Sequence, residues 1–451
     1  MPSLGSSSSS TSSSLQEFAS LIHAIKTEAI ANLVCTTSGC TSCTVEADPK
    51  QGSYNLIYTT HLSTGEIWVV RFPHPAVHDP VSMEADLQVL RMLRRETSIP
   101  VPRVQAYDVT DKNVIGFPYS ILSYIPGVPL GLDWVRVLDD KRRHRLLDQI
   151  AEAMLQLKKF TFPAIGDLVW DETNSSFVVG PLRENPALDP MYEFRAVSET
   201  EVPSQITERG PFSSVRKYLL SSLACQREQY PTQGWAHAWL HLFAMALPDA
   251  RYDEAPFVLR HPDFNPQNVI INPDTAELMG FIDWDGVSTT HPREQGYACY
   301  PSWITRDWDP IMYVWEGPNH HVSASISDSE ALRDGIEVSS DSSDSVSDEP
   351  IEESPEALAG HRAYYHSAVA RIDPELAKIT RNSHVPEALF SAIHSNLTRS
   401  GIIDKLMDYM FSPDPIKTGY LDGAMADGDW YKETFPELVE AMKNIRRSGG
   451  T

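Results

Sequence analysis

Long apolar stretches are missing from this chain. No run of about 18 apolar residues occurs, so no transmembrane helix is expected and no membrane partner with it. Basic residues are scarce: Lys and Arg number 37 against 61 Asp and Glu, a formal net charge of -24. A nucleic-acid backbone needs clustered Lys and Arg, so no nucleic-acid partner is expected either. Cysteine is thin, at five in 451 residues. The start, Met1-Pro2-Ser3-Leu4-Gly5 and a serine run, lacks the charged opening and apolar centre of a secretory signal. Together these features predict reduced thiols and a cytoplasmic protein. The sequons at Asn174-Ser175-Ser176 and Asn396-Leu397-Thr398 are then incidental. Cys35, Cys40 and Cys43 have no neighbouring His or Cys to complete a zinc site, so they are expected as small packed thiols. A Gly-x-Ser-x-Gly nucleophile setting is also absent, which removes the usual hydrolase reading of His261-Pro262-Asp263.

What is present supports a sizeable core, since 41% of residues are hydrophobic. Two stretches depart from that balance. Residues 3 to 14 are nearly all serine. Residues 323 to 356 are rich in Ser, Asp and Glu, with Arg333 their only base. Both compositions predict disorder, a tail over 1–14 and an insertion over 323–356.

The informative stretch runs from Leu259 to Gly286. Val269, Ile270 and Ile271 form a β-branched run; Asn272-Pro273-Asp274-Thr275 has turn chemistry; Leu278 to Ile282 is a second apolar run. This spells an antiparallel hairpin. A fold point near Thr275 and Ala276 predicts that Asn268 and Asp283 face each other, with Asp263 in the loop feeding the first strand. Oxygen-bearing side chains gathered in this way suit a hard cation such as Mg²⁺.

These residues, His261-x-Asp263-x-x-x-x-Asn268 followed by Ile282-Asp283-Trp284-Asp285, resemble the catalytic and metal segments of the aminoglycoside phosphotransferase family. That family is a branch of the protein-kinase-like fold, and the likeness is to fungal-type members of uncertain substrate. The resemblance implies a two-lobed α+β fold. Residues 15–123 would form an N-terminal segment and a β-rich nucleotide-binding small lobe, and 124–451 a mainly helical catalytic lobe. Asp263 would steer or accept the proton of an attacking hydroxyl, Asn268 and Asp283 would hold Mg²⁺, and His261 would brace the loop.

The small lobe is read in the same frame. Tyr54 to Tyr58 and Glu66 to Phe72 form two strands around the Ser63-Thr64-Gly65 turn. Gly52, Ser53 and Asn55 would cover the nucleotide phosphates, although no G-x-G-x-x-G is present. Arg71 stands where a protein kinase has lysine; it keeps the charge but is bulkier. Asp79-Pro80 opens a helix with Met83, Leu87, Leu90 and Leu93 on one face, and the resemblance pairs its Glu84 with Arg71. Backbone groups of Ser123 to Ile125 would hold the nucleotide base. Helical patterns continue at 15–34, 134–160, 218–225, 236–247, 362–411 and 429–445. Pro262 follows His261 where many protein kinases have arginine, and no Ala-Pro-Glu occurs.

The reaction implied is transfer of the γ-phosphate of ATP or GTP to a hydroxyl of a small-molecule acceptor. A non-catalytic kinase-like protein that binds a nucleotide or a protein partner is the alternative, motivated by Arg71 and the loose glycine loop.

Overall fold

The computed structural model describes residues 11–184, 206–229, 234–310, 313–315, 352–411, 436 and 439. Most of the acidic stretch and the helix expected over 429–445 therefore lie outside the described residues.

The small lobe is built on alternation. In β3 (Asn55–Leu62) Leu56, Tyr58, Thr60 and Leu62 are buried, and in β4 (Ile67–Pro73) so are Trp68, Val70 and Phe72. A period of two sends those side chains to one face and leaves Ile57, Val69 and Arg71 on the other. The buried face is covered by α1 (Thr11–Ala24) and α2 (Thr27–Ser38), whose Phe18, Leu21, Ile30 and Val34 complete one core cluster with Ile25 between the helices. Each such side chain contributes roughly 1.5–3 kcal/mol on burial, which makes this N-terminal segment part of the lobe. The single helical pattern expected over 15–34 is broken at Ile25 and Lys26, where the axis bends by 69°. Residues 11 to 14, expected as serine tail, lie in the first turn of α1.

The sheet adds β1 (Cys43–Val45) and β2 (Lys50–Gln51) on one side of β3, and β6 (Tyr119–Ser123) and β5 (Val104–Asp108) beyond β4. All pairs are antiparallel. α3 (Pro80–Glu96) packs Leu87, Leu90 and Leu93 into the cluster shared with the large lobe.

The chain passes to the large lobe through β7 (Val128–Pro129), which pairs with β8 (Val269–Ile271) of the hairpin. Gly127 precedes it at φ +133°, where a Cβ would lie 2.5 Å from the Ile271 carbonyl oxygen. Only glycine permits that backbone and that approach. The lobe itself is helical: α4 (Asp140–Met154), α5 (Val215–Gln229), α6 (Gly234–Ala246), α7 (Pro355–Ile372), α8 (Pro374–Thr380), α9 (His384–His394) and α10 (Arg399–Phe411). α4 packs beneath the hairpin and α7 against α4, while α5, α6, α9 and α10 build a second core. The result is the two-lobed α+β architecture that the resemblance implies.

The far end of the acidic stretch departs from the expected disorder. Glu353 is held by the Trp134 indole N–H at 2.9 Å, His361 at 2.9 Å and Arg143 at 3.3 Å. Ser354 caps α7, accepting from the Ala357 N–H. Composition alone hid this, because an acid with three donors waiting for it looks in sequence like any other acid.

Candidate active site

β8 and β9 (Leu278–Phe281) form the hairpin read from the sequence, with Ala276 at φ +58° in its turn. Its register differs by one residue from that expected. Val269 pairs with Phe281, so Asn268 sits opposite Ile282, whose N–H donates to the Asn268 carbonyl at 3.0 Å. An irregularity between Ile270 and Ile271 absorbs an extra residue on β9 and shifts the ladder. Asp283 then follows at φ +60°, a left-handed conformation uncommon for a residue with a Cβ. Strain of this kind persists only where the surroundings hold it, and it gathers at functional sites.

The loop from Asp263 to Asn268 is tied internally. The Asn268 side-chain amide donates to the Asp263 carbonyl at 2.9 Å and to its Oδ2 at 2.8 Å. The Asn265 amide donates to Oδ1 of the same carboxylate. Ser302 donates to the Phe264 carbonyl at 3.0 Å and to Asn265. Both Asp263 oxygens are thus oriented, and with the Asn268 nitrogen engaged its Oδ1 is the atom left for a cation.

His261 is 2% exposed and packs its ring 4.4 Å from that of Trp284, with Nε2–H donating to the Ile282 carbonyl at 2.9 Å. It joins the loop before Asp263 to the strand end before Asp283. Burial, helped by the nearby Arg260 charge, pushes its pKa down to about 4 from an ordinary 6.5. The unfolded chain therefore takes up a proton between these values that the folded protein refuses. Stability from this residue is complete above pH 6.5 and is lost as the pH falls toward 4, a change of about 3 kcal/mol. Urea unfolding at pH 7 and pH 4 should show the native protein losing that much more than His261→Gln. Equal losses would mean that the imidazole is not held neutral.

Arg71 crosses from the small lobe into this site. It makes a two-pronged bond to Asp285, Nη1 to Oδ1 at 3.0 Å and Nη2 to Oδ2 at 2.7 Å, and Nη2 lies 3.5 Å from Asp283. Asn55 donates to the same Asp285 at 2.9 Å. Within the turn before β3, the Gly52 N–H donates to the Asn55 carbonyl at 2.9 Å. Gly52 and Ser53 are exposed beside it. The Asp283 carboxyl is pushed up by desolvation and by Asp285, with Arg71 opposing.

The pairing of Arg71 with Glu84 is not what the structure contains. Glu84 accepts from the Tyr107 hydroxyl of β5 at 3.2 Å. Two residues along a helix is a turn of about 200°, so Glu84 points away from the face that looks into the site. That face carries Asp86 instead. Its buried carboxylate accepts the Gly286 N–H at 2.8 Å and the Ser288 N–H at 3.0 Å, clamping the loop that follows Asp283. Burial and the Asp285 charge push its pKa up to about 7, against the pull of those two amides. The sequence did carry a signal for Asp86: an acid inside the apolar stripe of Met83, Leu87 and Leu90 needs a partner to be buried.

At the hinge, the Ser123 N–H donates to the Arg103 carbonyl at 2.9 Å and the Tyr124 N–H to Ile67 at 3.1 Å. Both donors are therefore spent within the small lobe. Ile125 is half-buried, its side chain against the position where a Gly280 Cβ would lie. No group of three or more His, Cys, Asp or Glu among the described residues is arranged to hold a metal by itself.

The sequence profile of the phosphotransferase enzyme family, APH, matches residues 49–313, more than half of the chain. The chain belongs to that family. Among its relatives is a subtelomeric hrmA-associated cluster protein of Aspergillus fumigatus, 26% identical over 313 residues, or 57% of this chain and 60% of that protein. The chain thus spans about 60% of the length of the curated relative it matches there. A second relative is altered inheritance of mitochondria protein 9, mitochondrial, of Candida glabrata, 30% identical over 213 residues, 39% of this chain and 33% of that protein. Of solved structures, wild-type aminoglycoside 2'-phosphotransferase-IIIa in its GDP complex overlaps 92% of this chain and 97% of its own, at 16% identity and a TM-score of 0.42. A macrolide 2'-phosphotransferase type I overlaps 83% and 96%, at 13% identity and a TM-score of 0.40.

Proposed function

We propose that this phosphotransferase-family chain transfers the γ-phosphate of ATP or GTP to a hydroxyl of a small molecule, with Mg²⁺ on the nucleotide. The observation that carries the reading is the convergence of Asp263, Asn268, Asp283 and Arg71 where the two lobes meet. Asp263 meets the acceptor: its carboxylate, fixed by two side-chain amides, orients the hydroxyl and takes its proton as the oxygen attacks phosphorus. The bridging oxygen departs with the nucleoside diphosphate. Arg71 brings a guanidinium fork suited to phosphate oxygens.

The donor set fits a hard cation. Asp283 offers a carboxylate, and Asn268 an amide oxygen whose nitrogen is already engaged. Two protein oxygens with the rest supplied by phosphate and water is the usual way Mg²⁺ is held. When bound, the ion would neutralise charge on the phosphates. Arg71 currently satisfies the same carboxylates. The Gly52 to Asn55 turn would cover the phosphates, and the base would be met by backbone groups of Ser123 to Ile125 other than the Ser123 and Tyr124 N–H donors, which are already engaged.

Thermal unfolding of the native protein and of Asp283→Asn, each with and without Mg-ATP and Mg-GTP, tests the reading. A ligand at about 100 times its dissociation constant stabilises by roughly 2.7 kcal/mol, a shift of a few degrees. The shift should require Mg²⁺ and vanish in the variant. Absence of any shift with either nucleotide would overturn the nucleotide site and leave the non-catalytic alternative standing.

A further inference from the structure

Far from the cleft, at the other end of the β3–β4 hairpin, two thiols meet. α2 ends at Ser38, and Gly39 takes the left-handed conformation at φ +73°, donating its N–H to the Cys35 carbonyl at 2.8 Å. This cap reverses the chain and lays Cys40 back over the last helical turn. The Cys40 Sγ then lies 3.5 Å from the Cys35 Sγ, and the Cys40 N–H bonds the Ser38 hydroxyl at 3.2 Å. Both side chains are half-buried, so a small oxidant can reach them. Asn55 and Arg71, by contrast, sit at the open end of the hairpin, while Cys43 pairs with Leu62 beside its turn.

We infer that Cys35 and Cys40 form a redox-active dithiol that closes to a disulfide on exposure to a hydroperoxide. The sulfurs need to approach by about 1.5 Å more to reach bonding distance. The two thiols differ in character. The Ser38 hydroxyl, with lesser help from Cys35 and Ser63, lowers the Cys40 pKa, whereas burial raises that of Cys35. Cys40 is therefore the attacking sulfur and Cys35 the resolving one. In the first step the Cys40 thiolate takes the terminal peroxide oxygen, the O–O bond breaks, and the other oxygen leaves with the thiol proton, as water from hydrogen peroxide or as the alcohol from an organic hydroperoxide. In the second, Cys35 sulfur attacks the Cys40 sulfenic acid, the S–S bond forms, and the hydroxyl leaves as water with the Cys35 proton. Two thiols lose two electrons and one hydroperoxide is reduced. Burial raises the Cys43 thiol and pushes that of Cys299 up to about 12, so both are poor competitors.

The test uses the full chain treated with hydrogen peroxide, followed by differential alkylation and fragment-resolved peptide mass mapping. The expected product is the fragment containing Cys35, Cys40 and Cys43, lighter by two hydrogens, with Cys43 still alkylatable. Oxidation of the pair should run at least about tenfold faster than that of Cys225 or Cys299. In Cys35→Ser the resolving thiol is gone, so a dimedone probe should trap sulfenic acid at Cys40; in Cys40→Ser no adduct should form at Cys35. A Cys40–Cys43 bond, or oxidation of Cys225 or Cys299 first, would overturn the assignment. So would no dimedone adduct at Cys40 in Cys35→Ser.

Discussion

Asp263→Asn should lower turnover by about a thousandfold while changing nucleotide affinity little. General acid–base groups typically supply 10²–10⁴-fold, and the lower end would apply if Asp263 only oriented the acceptor. The substitution is close to isosteric, but its consequence inside this loop is specific. Asp263 accepts from the side-chain amides of both Asn265 and Asn268. An amide at residue 263 can accept at one atom only, so one neighbour loses its partner and the loop pays roughly 1–3 kcal/mol for an unsatisfied group. The measurement must separate chemistry from folding. Turnover and Mg-nucleotide affinity are therefore read together, with thermal unfolding as the control. A variant that folds and binds nucleotide with near-native turnover would remove Asp263 from the chemistry.

How much of this could be read beforehand depends on sequence separation. The hairpin between Asn268 and Asp283 is local, and a β-branched run and an apolar run around Asn-Pro-Asp-Thr fix it without outside help. Its register differs by one residue from the simple fold-back because a bulge leaves no mark in composition. The contacts joining the lobes span long stretches of chain: Arg71 to Asp285, Asn55 to Asp285, and Asp86 to the amides of Gly286 and Ser288. Nothing in the local pattern around Arg71 says which acid it will meet, so the family's helix glutamate was expected and the second aspartate of Ile282-Asp283-Trp284-Asp285 was found. The same holds for Glu353, whose neighbours in sequence suggest solvent while Trp134, Arg143 and His361 enclose it. Local rules deliver elements; partners set by tertiary packing override local charge pattern.

The Arg71 contact leads to a result that separates its two roles. Its guanidinium faces Asp285 and Asp283, and Asp86 adds a further attraction. On the proposed reading Arg71 and Mg²⁺ would compete for Asp283 in the absence of nucleotide, and Arg71 would turn to phosphate once nucleotide binds. Arg71→Met keeps the aliphatic bulk and removes the charge, so it should tighten binding of Mg²⁺ alone by about tenfold, equivalent to about 1.4 kcal/mol. The same substitution should weaken Mg-nucleotide binding and cut turnover by about a hundredfold, since phosphate loses its guanidinium clamp. Arg71→Lys should restore charge without the fork and recover only part of the turnover. Calorimetric titration with MgCl₂, then with nucleotide at saturating Mg²⁺, distinguishes the two effects. If Arg71→Met weakens both, the guanidinium builds the site rather than competing for it. If it weakens neither, the Arg71 bond to Asp285 is only a brace between lobes and the phosphate contact must come from elsewhere.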